Sequence, residues 1–75
     1  MKTGIVKYDA FPDVVGKLSF VLVLLDMNNN GIIVNSIRSA EGNYLYLKEI
    51  KNGESEIVLC KEEIQALKEI KEMAV

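Results

Sequence analysis

The segment from Asp26 to Gly31 carries the residue types best suited to hold a metal ion. It places oxygen donors at positions 1, 3 and 5 and glycine at position 6, as in the first half of a calcium-binding loop. Such a loop also requires a bidentate glutamate at position 12, where this chain has Ile37, and a helix on each side. Asparagine and glycine also tolerate the positive φ of a tight hairpin. We therefore expect a hairpin turn here and no metal site.

Cys60 is the one cysteine of a chain without histidine. It precedes a helical pattern, and a helix N-terminus lowers the pKa of a thiol, so a reactive cysteine is one interpretation. A nucleophile needs a base within reach, however, and no histidine supplies it. We expect Cys60 to cap the helix instead, with Glu63 completing the frame of a capping box. Because paired catalytic carboxylates and a phosphate-binding glycine loop are also missing, the sequence predicts no enzyme, no catalytic residue and no cofactor.

Tyr44, Tyr46 and Lys48 alternate along one predicted strand, so they share a face of the sheet. Arg38 is expected beside them on the neighbouring strand. Aromatic rings interleaved with cations form a stacking platform for single-stranded nucleic acid. Ordinary cross-strand pairing of aromatic residues gives the same pattern, and the net charge of -2 works against phosphate binding. These four residues are therefore a candidate nucleic-acid or partner face.

Turn signals divide the chain into short strands and one helix. The expected strands are 4–11, 18–26, 32–38 and 44–50, followed by a short extended piece at 56–59. In the first strand Val6, Tyr8 and Ala10 share one face, and the strand should end at Pro12 and Asp13.

The helix is expected from residue 61 to about residue 73. Its apolar stripe is Ile64, Leu67, Ile70 and Ala74, and two glutamates in the first turn suit the helix dipole. The fold class is therefore α+β: a single domain over residues 1–75, with a four-stranded antiparallel sheet followed by one C-terminal helix.

In the predicted second strand, the run from residue 18 to residue 25 is apolar except for Ser19, which indicates that both faces of the strand are buried. One helix covers only one face of a four-stranded sheet, so the other face needs a second cover. A 75-residue chain with 49% hydrophobic residues should also keep apolar surface after folding. We therefore expect a homodimer whose interface is formed by Leu18, Phe20, Val21, Val23 and Leu25.

Size and composition also indicate where the protein works. A lone cysteine forms no internal disulfide, so an oxidising compartment is not implied. The N-terminus does not follow the signal-peptide pattern, and the longest apolar run, at 20–25, is far shorter than the roughly 20 residues that cross a bilayer. We expect a cytoplasmic protein without a membrane segment.

Several stretches in order resemble the C-terminal domain of a bacterial family of unknown function, the domain-of-unknown-function family numbered 4446. They are GIVKYDAF at 4–11, LSF at 18–20, LLD at 24–26 with the asparagine turn, YLKEIKNGES at 46–55 and EEI at 62–64. The resemblance implies a domain that other members place behind a membrane anchor and a helical stretch. The element order also resembles the dimeric single-stranded-DNA-binding fold of transcriptional coactivators, in architecture alone.

The chain departs from that family pattern at a few positions. Val15 stands where a second glycine is usual, Arg38 where a tyrosine is usual and Ala40 where an arginine is usual. Glu49 replaces a proline, and Cys60 replaces a capping serine. Ligand roles that the family residues have at these positions are therefore not carried over to this chain.

The leading hypothesis from the sequence is a non-enzymatic, self-associating interaction module that regulates a protein partner. The alternative is a regulator that binds single-stranded nucleic acid through the tyrosine face. A further alternative is an inhibitor encoded by a mobile element, which would block a host nucleic-acid-binding defence enzyme by presenting negative charge.

Overall fold

The computed structural model describes residues 1–11, 16 and 18–73. Within these residues the chain forms four strands and then one helix: β1 Lys2–Tyr8, β2 Ser19–Leu25, β3 Gly31–Ser39, β4 Gly42–Ile50 and α1 Lys61–Lys71. The strands form one antiparallel sheet in the order β1-β2-β3-β4. The predicted fold class is confirmed.

The turn between β2 and β3 is built by the Asp26 side chain. Its carboxylate accepts hydrogen bonds from the backbone N–H groups of Asn28 (2.8 Å) and Asn30 (3.0 Å). These hydrogen bonds lower the pKa of Asp26. Asn29 takes a left-handed backbone conformation with φ of 62°, which asparagine tolerates well. The segment is the hairpin turn that the sequence predicts.

Cross-strand register assigns each side chain to one of two faces. Lys48, Ile33, Val23 and Gly4 are opposite one another across the four strands, and their face is packed against α1. We call this the helix face. Residues one position away, such as Leu47, lie on the other side, which we call the open face.

The core lies between the helix face and α1. Its fully or nearly fully buried side chains come from β2, β3, β4 and the helix: Val21, Val23, Leu25, Ile33, Ile50, Ala66, Leu67 and Ile70. Val6 and Tyr8 pack against this cluster from β1, as the predicted alternation requires. Gly4 lets the helix come close, because a Cβ at that position would lie 2.0 Å from Ile70 Cδ1.

The helix buries a different stripe from the predicted one. Leu67 and Ile70 are buried as expected, but Ile64 is 54% exposed, and Glu63 and Ala66 take its place in the interior. The prediction for Ile64 was wrong because α1 turns its 63–66–67–70 side toward the sheet to bring Glu63 to β4. Ala74 lies outside the described residues.

Strand bounds differ from the predicted ones mainly at the edges. β1 begins at Lys2 and ends at Tyr8, three residues before the predicted end, because its pairing with β2 runs from Leu25 to Ser19. β4 begins at Gly42, because β3 and β4 pair up to a two-residue loop. Residues 56–59, predicted as a short extended piece after the four strands, lie outside the sheet. Pro12 and Asp13, predicted to end the first strand, lie outside the described residues.

Candidate interaction surface

The open face of the sheet is an apolar patch that spans all four strands. Three cross-strand rows form it: the first runs from Thr3 to Glu49, the second from Ile5 to Leu47 and the third from Lys7 to Leu45. Most of its side chains are apolar, namely Ile5, Phe20, Leu22, Leu24, Ile32, Val34, Leu45 and Leu47. Contiguous apolar surface of this kind marks interaction sites on folded proteins.

Exposure on the open face is greatest on the outer strands. Leu45 and Leu47 on β4 are 71% and 64% exposed, and Ile5 on β1 is 54% exposed. The residues on β2 and β3 are half-buried by their neighbours within the sheet. The chain therefore folds with leucine and isoleucine side chains in contact with water, because α1 is packed against the other side.

Charged side chains stand at two corners of the open face. Lys7 lies on β1 in the third row, and Glu49 lies on β4 in the first row. Both are exposed, and within residues 1–11, 16 and 18–73 neither side chain forms a hydrogen bond or an ion pair. Within the three rows, the two charged side chains are therefore of opposite sign and stand at diagonally opposed corners, and Arg38 lies on the same face one row beyond Leu45.

The predicted dimer interface combined residues from both faces and needs correction. Val21, Val23 and Leu25 are fully buried beneath α1, so no partner can reach them in this fold. Phe20 is on the open face, and Leu18 lies just before β2 with 55% exposure. The sequence does show that β2 is apolar on both sides, but register decides which residues face α1.

Sequence reasoning missed several residues of the open face. Leu22 and Leu24 belong to it on β2, as do Leu45 and Leu47 on β4. The signal was present in the alternation of β4, where the leucines alternate with Tyr44, Tyr46 and Lys48.

Tyr44, Tyr46 and Lys48 share one side of β4, as predicted, and this side is the helix face. Tyr44 and Tyr46 are about half exposed (50% and 49%). Lys48 is held inward: its Nζ donates to Glu63 Oε1 at 2.8 Å and to the Val58 carbonyl at 3.1 Å. The cation expected beside the tyrosines is thus neutralised by a carboxylate.

Arg38 lies on the opposite side of the sheet from the tyrosines. It is on the neighbouring strand, as expected, but it pairs with Asn43, whereas Tyr44 and Tyr46 pair with Ile37 and Asn35. The predicted placement of Arg38 on the tyrosine face was wrong. In the observed register, even-numbered residues of β3 lie opposite odd-numbered residues of β4, so Arg38 cannot share a face with Tyr44 and Tyr46. The four candidate residues therefore do not form one surface.

Glu63 is the centre of a polar network under the helix N-terminus. Its side chain is 1% exposed, and Oε1 accepts hydrogen bonds from Lys48 Nζ and from the Cys60 N–H, both at 2.8 Å. Burial by itself would raise the pKa of Glu63, but these hydrogen bonds outweigh it, so the pKa lies below the usual glutamate value. Glu63 is therefore an ionised buried residue that joins α1 to β4.

Cys60 occupies the N-cap position of α1, as predicted, with Glu63 at N3 in a capping box. Its Sγ also accepts a hydrogen bond from Asn35 Nδ2 at 3.6 Å, and Asn35 Oδ1 accepts one from the Tyr8 hydroxyl at 2.7 Å. Burial raises the pKa of the Cys60 thiol. A thiol that resists ionisation is a poor nucleophile, so this environment favours the capping role.

Metal-binding chemistry has no cluster to support it in the part of the chain that the structure describes. No three acidic or cysteine side chains come together there. Asp26, the first candidate ligand, accepts the backbone hydrogen bonds of its own turn. Among the same residues, no helix has the length and apolar character needed to cross a membrane.

Comparison with known proteins gives a family and no function. A family model described as "Protein of unknown function (DUF4446)" matches residues 1–71. No curated protein and no solved structure matches the chain. The match covers every strand and the whole helix described above.

Proposed function

The chain belongs to the DUF4446 family of proteins of unknown function, and we propose that it is a non-catalytic interaction module that works with its open face covered by another protein chain. The observation that carries the proposal is the patch of eight apolar side chains on that face. A different protein and a second copy of the chain are both covers of this kind.

Leaving the open face in water costs free energy. Each exposed leucine that becomes fully buried contributes up to about 1.5–3 kcal/mol, and the open face offers Leu45, Leu47 and Ile5 at more than half exposure. A bare sheet with such residues is also prone to aggregate. A protein that covers the face removes this apolar area from water and also prevents the aggregation.

The titratable groups that the sequence analysis singled out at the asparagine turn and at the helix N-terminus have structural roles, which supports a non-catalytic module. Glu63 holds Lys48 and the helix N-terminus, and Asp26 holds its own turn. The thiol of Cys60 has a raised pKa. These contacts engage the side chains in stabilising the fold.

Site-specific photo-crosslinking in cells of the source organism tests the proposal. A photoreactive amino acid at position 47 places the probe on the open face, and the same probe at position 46 places it on the helix face of the same strand. We expect a discrete protein adduct from position 47 and none from position 46. Absence of an adduct at 47, or equal adducts from both positions, would overturn the proposal.

A further inference from the structure

The open face is almost square, with charges at opposite corners. Strands are about 4.8 Å apart and rise about 3.4 Å per residue, so both the width across four strands and the length across three rows are about 14 Å. Lys7 and Glu49 stand at one pair of opposite corners, and Thr3 and Leu45 stand at the other pair.

This arrangement decides how a second copy would fit. Two identical faces that stack are related by a two-fold axis in the plane between them. An axis along the strands would place Lys7 over Leu45 of the second copy, and an axis across the strands would place it over Thr3. An axis along the diagonal from Lys7 to Glu49 would stack like charges on each other.

The remaining axis follows the diagonal from Thr3 to Leu45. It places Lys7 of each copy over Glu49 of the other and so creates two ion pairs, while the apolar rows cover one another. Rotation about a diagonal crosses the two sets of strands at about 90°, which is one of the two favoured geometries of sheet packing. Charge complementarity therefore selects one arrangement of the four.

We infer that the open face is covered by a second copy of this chain, packed orthogonally, with Lys7 of each copy paired to Glu49 of the other. This inference rests on the proposed function and names the partner. When each of the twelve residues in the three rows is given its full share of the sheet, about 4.8 Å by 6.8 Å, the face has a projected area of about 400 Å² per copy. That area is small for a protein interface. The dimer should therefore be reversible and depend on concentration.

Charge exchange on the purified chain tests the pairing. Either single variant, Lys7→Glu or Glu49→Lys, would replace the two ion pairs of the dimer with two like-charge contacts. The dissociation constant of the dimer should therefore rise roughly tenfold. The double variant restores opposite charges at both contacts and keeps the net charge, so its dissociation constant should return near the wild-type value. Sedimentation equilibrium measures all four chains, with circular dichroism to show that each is folded.

A crosslinking pair tests the axis independently of the charges. Both variants are made in a Cys60→Ser background, so that the introduced thiol is the only one. Leu45→Cys places its thiol on the proposed two-fold axis, opposite the same thiol of the second copy. Leu47→Cys places its thiol off the axis, well away from the same thiol of the second copy. A short bismaleimide should crosslink the Leu45→Cys chain and not the Leu47→Cys chain. The reverse preference would indicate an axis across the strands and overturn the arrangement.

The outcomes separate this inference from the proposed function. A purified chain that stays monomeric overturns the inference that a second copy covers the open face. A dimer that Lys7→Glu does not weaken overturns the proposed orientation of the two copies. In either case an adduct from position 47 to a different protein in cells would leave the interaction module standing. A self-adduct from position 47, together with rescue in the double charge variant, supports both.

Discussion

Lys48 Nζ lies 2.8 Å from Glu63 Oε1, and this ion pair joins the last strand of the sheet to the first turn of the helix. The side chains are 18% and 1% exposed, so the pair is shielded from water and salt. Because Glu63 also accepts the N–H of Cys60, one carboxylate sets both the start of α1 and its position over the sheet. Together with the apolar core, the pair holds the helix against one sheet face and leaves the other face open.

Removing the cation of this pair should destabilise the fold strongly. Lys48→Met leaves the Glu63 carboxylate buried without its counter-charge, and we expect the free energy of unfolding to fall by about 3 kcal/mol. The matched control is Lys61→Met, which removes an exposed partner 3.8 Å from Glu62 and should cost about 0.5 kcal/mol or less. Urea unfolding at neutral pH measures both. Equal losses in the two variants would show that the buried pair has no special role.

Stability should fall in acid partly because of Glu63. A carboxyl whose pKa is lower in the folded state contributes stability above its unfolded pKa, about 4.3 for glutamate, and this contribution disappears as pH falls through the lower folded value. Glu63→Gln cannot ionise, so its unfolding free energy should change less than that of the wild type below about pH 4.3. Urea unfolding across the acid range measures this difference. Parallel curves for the two chains would contradict the lowered pKa.

The close approach of α1 to β1 should make Gly4 intolerant of a side chain. A Cβ there would lie 2.0 Å from Ile70 Cδ1 and 2.8 Å from Ile70 Cγ1. We expect Gly4→Ala to lower the free energy of unfolding by about 1–3 kcal/mol. Ile70→Val removes the nearer atom, so the double variant should lose less than the sum of the two single losses. Chemical denaturation measures all three unfolding free energies. If the loss in the double variant equals the sum of the two single losses, the predicted clash between position 4 and Ile70 is contradicted.

Single-stranded nucleic acid should bind weakly. The tyrosines of β4 lie beside a lysine that is paired with Glu63, Arg38 is on the other face, and the net charge is -2. We therefore expect a dissociation constant no tighter than about 10⁻⁵ M at low salt. Fluorescence anisotropy with a labelled oligonucleotide measures it. Sub-micromolar binding that Tyr46→Ala abolishes would restore the tyrosine platform as the functional site.

The element order could be predicted from the sequence because its signals are local. The asparagine turn, the alternation in β4 and the glutamates after Cys60 each act within a few residues, and each gave an element of the correct type. Strand ends were less accurate, because pairing with a neighbour extends β1 back to Lys2.

The face of each residue could not be predicted in the same way, because it depends on contacts distant in sequence. The burial of Val21 and the separation of Arg38 from Tyr46 follow from register and from the side on which α1 packs. The Lys48–Glu63 pair joins residues 15 positions apart and has no local signature. The capping-box pattern is the same in the sequence whether its glutamate is buried or exposed, so the burial of Glu63 could not be predicted.

The most direct test of the account compares two neighbouring residues of β4 that lie on opposite faces. Leu47 is 64% exposed on the open face, and Tyr46 is 49% exposed on the helix face. Sedimentation equilibrium of the wild type should give a reversible dimer of the 8.4 kDa chain. Leu47→Glu should shift it to monomer, because a carboxylate would be buried at the interface, whereas Tyr46→Glu should leave it dimeric. A wild-type monomer, or a dimer lost in Tyr46→Glu and kept in Leu47→Glu, would contradict self-association through the open face.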